Sequence, residues 1–333
     1  MEPTFVIAGR LRRDYLLPPS GRALIDVPGG DLLYAAAGLG VWESQLGLLA
    51  RVGEDYPHEW LRSFEKYGWD TRGIHILAGA LDLRYFQARL DPVTFQRGNP
   101  VTHFARMNLP FPKSLLGYQP PSDIDDRKTI PATSPRPADI PPDYLNTHAA
   151  HLCPLDYMTT SRLLSTFRQA NVTFLTLDPS AAYMTATSLD DMRSLLQGVT
   201  AFLPSEQELR SIFWGRTDDL WQMAETLASF GCELVVVTRG AHGQMLYDGI
   251  SKKRWEIPAY PARLDDPTGA GNSFCGGFSA GYLKTFDPVR AVLYGSVSAS
   301  LTIEGSGAFH ALDALPGLAQ ARLEALTGQV RQV

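Results

Sequence analysis

The residues whose types and spacing best support chemistry lie in one run, 265–278, which reads DDPTGAGNSFCGGF. Gly269, Ala270 and Gly271 follow a strand and a turn and open a helix of small residues that continues through Ser279, Ala280 and Gly281. The first turn of a helix carries N–H groups without intrahelical partners and a positive dipole potential, so a glycine-rich entry is a ready anion hole for a phosphate. The same glycines would equally serve a tight turn and close helix packing, and both readings stand at this level. Other phosphate and nucleophile motifs are excluded by spacing. There is no Gly-Lys pair for a Walker loop, and Gly269-x-Gly271 lacks the third glycine of a dinucleotide fingerprint. The stretch from Gly271 to Gly276 is one residue too long to make Ser273 a hydrolase nucleophile.

Further residues have a chemical and a structural reading. Ser205 and Glu208 precede a helix with the Ser-x-x-Glu spacing of a capping box, in which each side chain satisfies a free N–H of the other. Asn272 is a good N-cap residue as well as a hydrogen-bonding one. His148, His151 and Cys153 share one strand, where alternation puts His148 on the face opposite the other two, so packing is expected rather than zinc. Arg84, Tyr85, Phe86 and Arg106 sit on short alternating segments suited to face a polar ligand, although half of such side chains must point outward. Phe213, Trp214, Trp221, Met223 and Phe230 read as helical core.

The elements that must position these residues follow from periodicity. A buried strand at 5–8 is followed by short β-like pieces through 27, and Gly29-Gly30 then enters a helix of Leu, Tyr and Ala. Asp55, Pro57 and Gly68 bracket an amphipathic helix with Trp60, Leu61 and Phe64 inward. Antiparallel strands are expected at 84–90 and 101–106 around a loop at 91–100. Residues 109–142 are rich in proline and lack apolar periodicity, which reads as a surface insertion. Beyond it, apolar strands at 148–153, 172–177, 201–203 and 234–238 alternate with helices at 160–169, 189–196, 206–213 and 218–230. This is the pattern of a parallel sheet with helices on both faces. A long helical region is expected over 271–303.

Composition narrows the class. The 333 residues carry 30 Lys and Arg against 35 Asp and Glu, a net charge of −5 that gives no electrostatic footprint for nucleic acid. The basic cluster Arg10, Arg12 and Arg13 reads as a solvated face. No apolar run approaches the length of a bilayer span, no signal-peptide layout is present, and three widely spaced cysteines argue against a disulfide framework. A cytoplasmic protein without nucleic-acid or membrane partners is expected.

Taken together, the motifs resemble those of the ribokinase or PfkB carbohydrate kinases, in order and over nearly the whole chain. Gly9 and Asp14 fall where that family has a sugar-binding aspartate, Gly29-Gly30 matches its first glycine signature, and 51–55 (RVGED) resembles its Val-Gly-x-Asp helix entry. The segment 237–243 (VTRGAHG) resembles its nucleotide-side turn, and 266–271 (DPTGAG) lines up with its second signature. The resemblance implies one ribokinase-like α/β domain over 1–333, with a central mostly parallel sheet flanked by helices on both faces. A small β-sheet lid would come from about 10–27 and 82–108, and 109–142 would be the insertion. ATP with Mg²⁺ would lie across Thr238, Gly240 and Gly243, with Ser205 and Glu208 beside it and Glu208 reaching Mg²⁺ through water. The γ-phosphate would meet Gly269, Ala270 and Gly271. Asp266 and Thr268 would hold a monovalent cation such as K⁺. A sugar or polyol would be bound by Asp14, Gly29, Gly30, Tyr34, Arg84, Phe86 and Arg106, and a homodimer through the lid is implied.

The chain departs from that pattern at three positions. Asn272 stands where the family has the aspartate that takes the acceptor proton, Tyr34 replaces a sugar-binding asparagine, and Ser205 replaces the asparagine of Asn-x-x-Glu. An amide orients a hydroxyl but does not accept its proton at neutral pH. Two expectations follow: a sugar kinase slowed by Asn272, with Asp266 or Asp265 as a poor substitute base, or a non-catalytic ligand-binding or regulatory protein on a kinase scaffold.

Overall fold

The computed structural model describes residues 3–19, 22–91, 94–122, 124–170 and 172–333. Residues 92 and 93 of the expected 91–100 loop, and residue 123 of the proline-rich segment, lie outside them. The strands are β1 (Phe5–Ala8), β2 (Arg12–Leu17), β3 (Leu24–Gly29), β4 (Leu46–Gly53), β5 (Trp69–Leu77), β6 (Arg84–Arg89), β7 (Phe95–Gln96), β8 (Ala149–Leu152), β9 (Phe174–Leu177), β10 (Ala201–Phe202), β11 (Leu234–Thr238), β12 (Gln244–Asp248), β13 (Lys253–Ile257) and β14 (Arg331–Gln332). The helices are α1 (Asp31–Gly40), α2 (His58–Glu65), α3 (Pro100–Arg106), α4 (Tyr157–Gln169), α5 (Met192–Leu196), α6 (Glu206–Ile212), α7 (Leu220–Ala228), α8 (Ala270–Thr285), α9 (Pro288–Thr302) and α10 (Leu318–Thr327).

Ten strands form one sheet in the order β14-β13-β12-β11-β10-β9-β8-β1-β4-β5, parallel from β11 through β5 and antiparallel beyond β11. The central strands are buried on both faces, which is why Phe5–Ala8 and Leu234–Val237 are continuously apolar rather than alternating. One core lies between the sheet and α1, α8 and α9, and a second lies under α4 to α7. A separate sheet, β3-β2-β6-β7, has its own small core of Tyr15, Leu17, Phe86, Ala88, Phe104, Leu115 and Tyr118.

Helices α1, α8 and α9 cross at the closest distance that backbones allow. A Cβ on Gly276 would lie 1.9 Å from the Ala35 carbonyl oxygen, and one on Gly38 would lie 2.0 Å from that of Ser273. Much of the glycine content of 271–281 is therefore packing, as the plain reading of the run allowed.

Two element assignments change. The expected strand at 101–106 is helix α3, because Pro100, His103 and Phe104 form the buried stripe at i, i+3 and i+4, and Pro100 starts the helix. The expected single helix over 271–303 is two helices. Phe286 takes a left-handed conformation at φ 50°, and Asp287 then caps α9 by accepting from the N–H groups of Val289 and Arg290.

Candidate active site

Alternation along β2 and β6 decides which side chains reach the space between the two sheets. On β2, Tyr15 and Leu17 enter the small core, while Arg12 and Asp14 face the other way. On β6, Phe86 and Ala88 enter the small core, while Gln87 and Arg89, on the opposite face with Tyr85, reach Thr268 in the turn before α8. Arg84 shares the Phe86 face and bonds Asp82 and the carbonyls of Ser114 and Leu116. Arg106 is exposed on the last turn of α3. Arg84, Phe86 and Arg106, expected to bind substrate, are therefore not brought to this space. The face-sharing partners Gln87 and Arg89 are, and an alternation count started one residue later would have found them.

Asp14 is 3% exposed, and its Oδ1 has no hydrogen-bond partner. Its other oxygen lies so close to Gly29 that a Cβ there would sit 1.9 Å away, and the Gly30 N–H donates to the carboxylate. Burial raises its pKa to about 7, against the opposing pull of Arg12 and the Gly30 N–H, with Asp31 and Asp266 adding to the rise. Gly30, at φ 101°, turns the chain into α1, and a Cβ there would strike the Arg10 carbonyl oxygen at 2.3 Å. Asp31 follows on the first turn of α1, accepting from the Arg10 N–H at 2.6 Å and lying 3.8 Å from the Arg12 guanidinium. Arg10 and Arg12 thus hold Asp31 rather than forming a solvated face, and Arg12 also stacks on Tyr85 at 4.2 Å.

Tyr34, from the second turn inward of α1, is 3% exposed with an unpartnered hydroxyl. Its ring lies on Gly269, where a Cβ would meet ring carbon at 2.0 Å, and Gly269 takes φ 79° as the N-cap of α8. Asn272 is consequently inside the first turn and does not cap the helix. The Ala270 N–H bonds the Pro267 carbonyl, which leaves the first-turn N–H groups of Gly271 and Asn272 to point along the axis. Around Gly271 a Cβ would find open space. The expected set Gly269, Ala270 and Gly271 is therefore shifted: the Ala270 N–H is taken, and the N–H groups left open to an anion are those of Gly271 and Asn272, the second of which carries an amide side chain.

The turn before it is tied to the small sheet. Thr268 Oγ1 accepts from Gln87 Nε2 at 2.8 Å and from Arg89 Nε at 3.2 Å, and Asp266 Oδ1 accepts from the Thr268 N–H at 3.0 Å with Arg89 at 3.6 Å. Asp266 is 1% exposed, and its Oδ2 has no partner. Asp265 is turned toward Arg263 at 2.6 Å. As a test of a bound monovalent cation, Thr268 has both hydroxyl lone pairs engaged and Asp266 already faces an arginine, so only one oxygen of the pair is left open. These two side chains, as placed, do not fit such an ion.

The residues expected on the nucleotide side gather at the C-terminal ends of β10 and β11. Ser205 and Glu208 form the expected capping box at the start of α6, with Glu208 Oε2 accepting from the Ser205 N–H at 2.8 Å. Burial raises the Glu208 pKa, against the Ser205 hydrogen bonds, and burial together with the Glu208 charge raises that of Asp178 at the end of β9, a residue the sequence reading passed over. Thr238 bridges Ser205, and the turn behind it uses Gly240 at φ 54° and Gly243 at φ 76°, where a Cβ would strike the Ile257 carbonyl oxygen at 2.1 Å. Ser205, Thr238 and Gly240 line a cleft of about 910 Å³ with Thr185, Glu206, Arg239 and Trp214. That volume admits a nucleotide, and Arg239, with its Nε buried and unpartnered, suits a polyphosphate. Glu208 and Gly243, expected on the same side, do not line this cleft, and Glu208 Oε2 is taken by the Ser205 N–H and hydroxyl, so a Mg²⁺ would be reached by Glu208 only through water. Trp214 is 79% exposed at the rim and is not core, because it follows the end of α6 instead of lying on its buried stripe. Among the described residues no three His, Cys, Asp or Glu side chains cluster as a metal site, and His151 is buried against Thr176 at 2.8 Å, as expected for packing. No helix of the described residues is long and apolar enough to cross a membrane.

Comparison with known proteins agrees with this geometry. A cytidine kinase of Thermococcus kodakarensis is 27% identical over 279 residues, covering 84% of this chain and 88% of that protein. An Escherichia coli ribokinase II solved with ATP and Mg²⁺ superposes with a TM-score of 0.72 at 17% identity, over 98% of this chain and all of its own. A Burkholderia thailandensis nucleoside kinase solved with inosine gives 0.67 at 18%, over 97% and 99%. These two likenesses establish the ribokinase-like fold of two sheets described above. The model of the pfkB family of carbohydrate kinases matches residues 144–315, which carry both the Ser205–Glu208 element and the Gly269–Gly271 turn, and the chain belongs to that family.

Proposed function

We propose that this chain transfers the γ-phosphoryl group of Mg·ATP to a hydroxyl of a sugar or nucleoside held between Asp14, Tyr34 and Asn272. One observation carries the reading. Three buried polar atoms, Asp14 Oδ1, Tyr34 Oη and Asp266 Oδ2, have no partner, their groups feel one another's charge, and they surround the first turn of α8. Most buried polar groups in proteins are paired, and these three converge on one place, so a polyhydroxyl ligand is the natural complement. The nucleoside option is supported by the cytidine and inosine named for the two relatives and by the aromatic walls Tyr34 and Tyr85.

Bound ATP supplies the phosphoryl group; this chain's residues position it. Thr238, Gly240 and Arg239 would hold the polyphosphate, and the Gly271 and Asn272 N–H groups would stabilise charge on the γ-phosphoryl oxygens. The Asn272 carbonyl oxygen would accept a hydrogen bond from the acceptor hydroxyl. The new P–O bond forms as the bond to ADP breaks, and the hydroxyl proton passes to water because the amide does not take it. General-base assistance is worth about 10²–10⁴-fold, whereas positioning and charge stabilisation supply most of phosphoryl transfer, so turnover survives but is slow. Self-association through the small sheet, whose edges are β3 and β7 and which exposes Ile25 and Phe95, belongs to the same reading.

The test is ADP release with Mg·ATP across sugars, polyols and nucleosides, for wild type and Asn272→Asp together. Acceptor-dependent turnover in wild type, raised in Asn272→Asp by about 10²-fold or more, is expected. The joint change at Tyr34, Ser205 and Asn272 favours a second reading, a binding protein that has lost its chemistry. Ligand-dependent stabilisation with no product from either protein would select it.

A further inference from the structure

We propose that the Arg89 guanidinium takes the place of the monovalent cation at the Asp266–Thr268 turn, so that this chain orders its anion hole without K⁺. The turnover arm of the test rests on the kinase reading above; the geometry and the binding arms do not.

The contacts are specific. Arg89 reaches Thr268 Oγ1 at 3.2 Å and Asp266 Oδ1 at 3.6 Å, the two residues to which a cation would be assigned. Gln87 fills the second lone pair of the same hydroxyl at 2.8 Å, so the Thr268 side chain offers an incoming ion nothing. Asp266 is buried and Arg89 is only 11% exposed, so their attraction is little screened by salt. An arginine cannot give up its charge by deprotonation, and an ion bound at the remaining Asp266 Oδ2 would face a fixed positive neighbour a few ångströms away in a dry site.

The location gives the charge a function. Residues 266–268 lead directly into Gly269, so whatever steadies them steadies the first turn of α8. A free ion would do this at all times. Arg89 does it from β6, which ties the order of the turn before α8 to the small sheet. Arg89 is thus a positioning residue for the anion hole.

The experiment uses the full chain in KCl, NaCl and tetramethylammonium chloride at equal ionic strength, comparing wild type, Arg89→Gln and Arg89→Lys by thermal unfolding and by ADP release. Wild type is expected to show the same Tm within about 1 °C and the same rate within about twofold in all three salts. Arg89→Gln is expected to gain a K⁺ requirement, with Tm higher in KCl and turnover about fivefold or more above that in tetramethylammonium chloride, while Arg89→Lys gains none. Selective stabilisation or acceleration of wild type by K⁺ overturns the proposal, as does a folded Arg89→Gln indifferent to K⁺. Should Arg89→Gln fail to fold, calorimetric titration of wild type with KCl decides: specific binding heat overturns the proposal, and its absence beside a salt-independent Tm sustains it. If no acceptor is turned over, the kinase reading fails while the Tm and calorimetric outcomes still decide this one.

Discussion

Asp14 shows what one buried carboxyl costs and provides. Its pKa of about 7 lies above the ordinary value near 3.9, so the neutral form is favoured on folding. The associated stability is present below the unfolded pKa and is lost as pH rises toward 7, on the order of 3–4 kcal/mol by pH 8. Asp14→Asn is therefore expected to raise Tm clearly at pH 8 and little at pH 4, measured by thermal unfolding across pH; an equal gain at both would remove the explanation. A ligand hydroxyl donating to Oδ1 favours the charged form, so acceptor affinity in wild type should fall about tenfold per unit below pH 7. Stability given up at a binding carboxyl is a common pattern at functional sites.

At the scale of elements, the glycines of α8 divide into two kinds. Gly276 faces the α1 backbone at 1.9 Å, where nothing flexible can yield, so Gly276→Ala is expected to cost about 3 kcal/mol or more, or to prevent folding. Gly271 faces open space, so Gly271→Ala should leave the fold intact or stabilise it by up to about 1 kcal/mol through helix propensity. The new methyl would stand in the anion hole, and turnover should drop while Tm does not. Chemical denaturation paired with ADP release separates the two, and a Gly271→Ala with unchanged kinetics would place the phosphate elsewhere. The same run of sequence thus packs closely at Gly276 and leaves open space at Gly271.

For the whole molecule, the proline-rich segment is held by a particular bond. Arg51 of β4 donates to both carboxylate oxygens of Asp139 at 2.6 and 2.8 Å, with Asp139 3% exposed, and Ser134 bonds Asp156 at 2.7 Å. Burial would raise the Asp139 pKa, but the Arg51 and Arg136 hydrogen bonds outweigh it and hold the group below its usual range. Its contribution to stability is present above the unfolded pKa and fades as pH falls through the folded value. Arg51→Met removes both side-chain bonds from this carboxylate and leaves it the Arg136 N–H at 2.7 Å and His75 at 3.9 Å, and is expected to cost about 1–3 kcal/mol, with faster proteolytic cleavage within 109–142. Unchanged cleavage and Tm would mean that the segment is held by its apolar contacts at Leu115 and Tyr118 instead.

The chain by itself determined the α/β class, the parallel strands and the phosphate turn, because these are encoded locally in continuous apolar runs, helix periodicity and glycines at fixed spacing. Asp14, Gly29, Gly30, Tyr34, Asp266 and Gly269 to Asn272 could be named together because their motifs stand in order along the chain, and the structure brings Asp14 against Gly29 and Tyr34 against Gly269. What only the tertiary structure decided depends on which face a side chain takes and what lies across from it. Residue 86 points into the small core and 87 and 89 reach Thr268, a choice of strand phase that short segments leave open. Trp214 lies in the open because α6 stops before it, and Arg10 and Arg12 are engaged because Asp31 arrives from the far end of a β-hairpin. The pairing of Arg89 with Asp266, 177 positions along the chain, is a product of two sheets closing on one helix, and no local pattern in either segment specifies it.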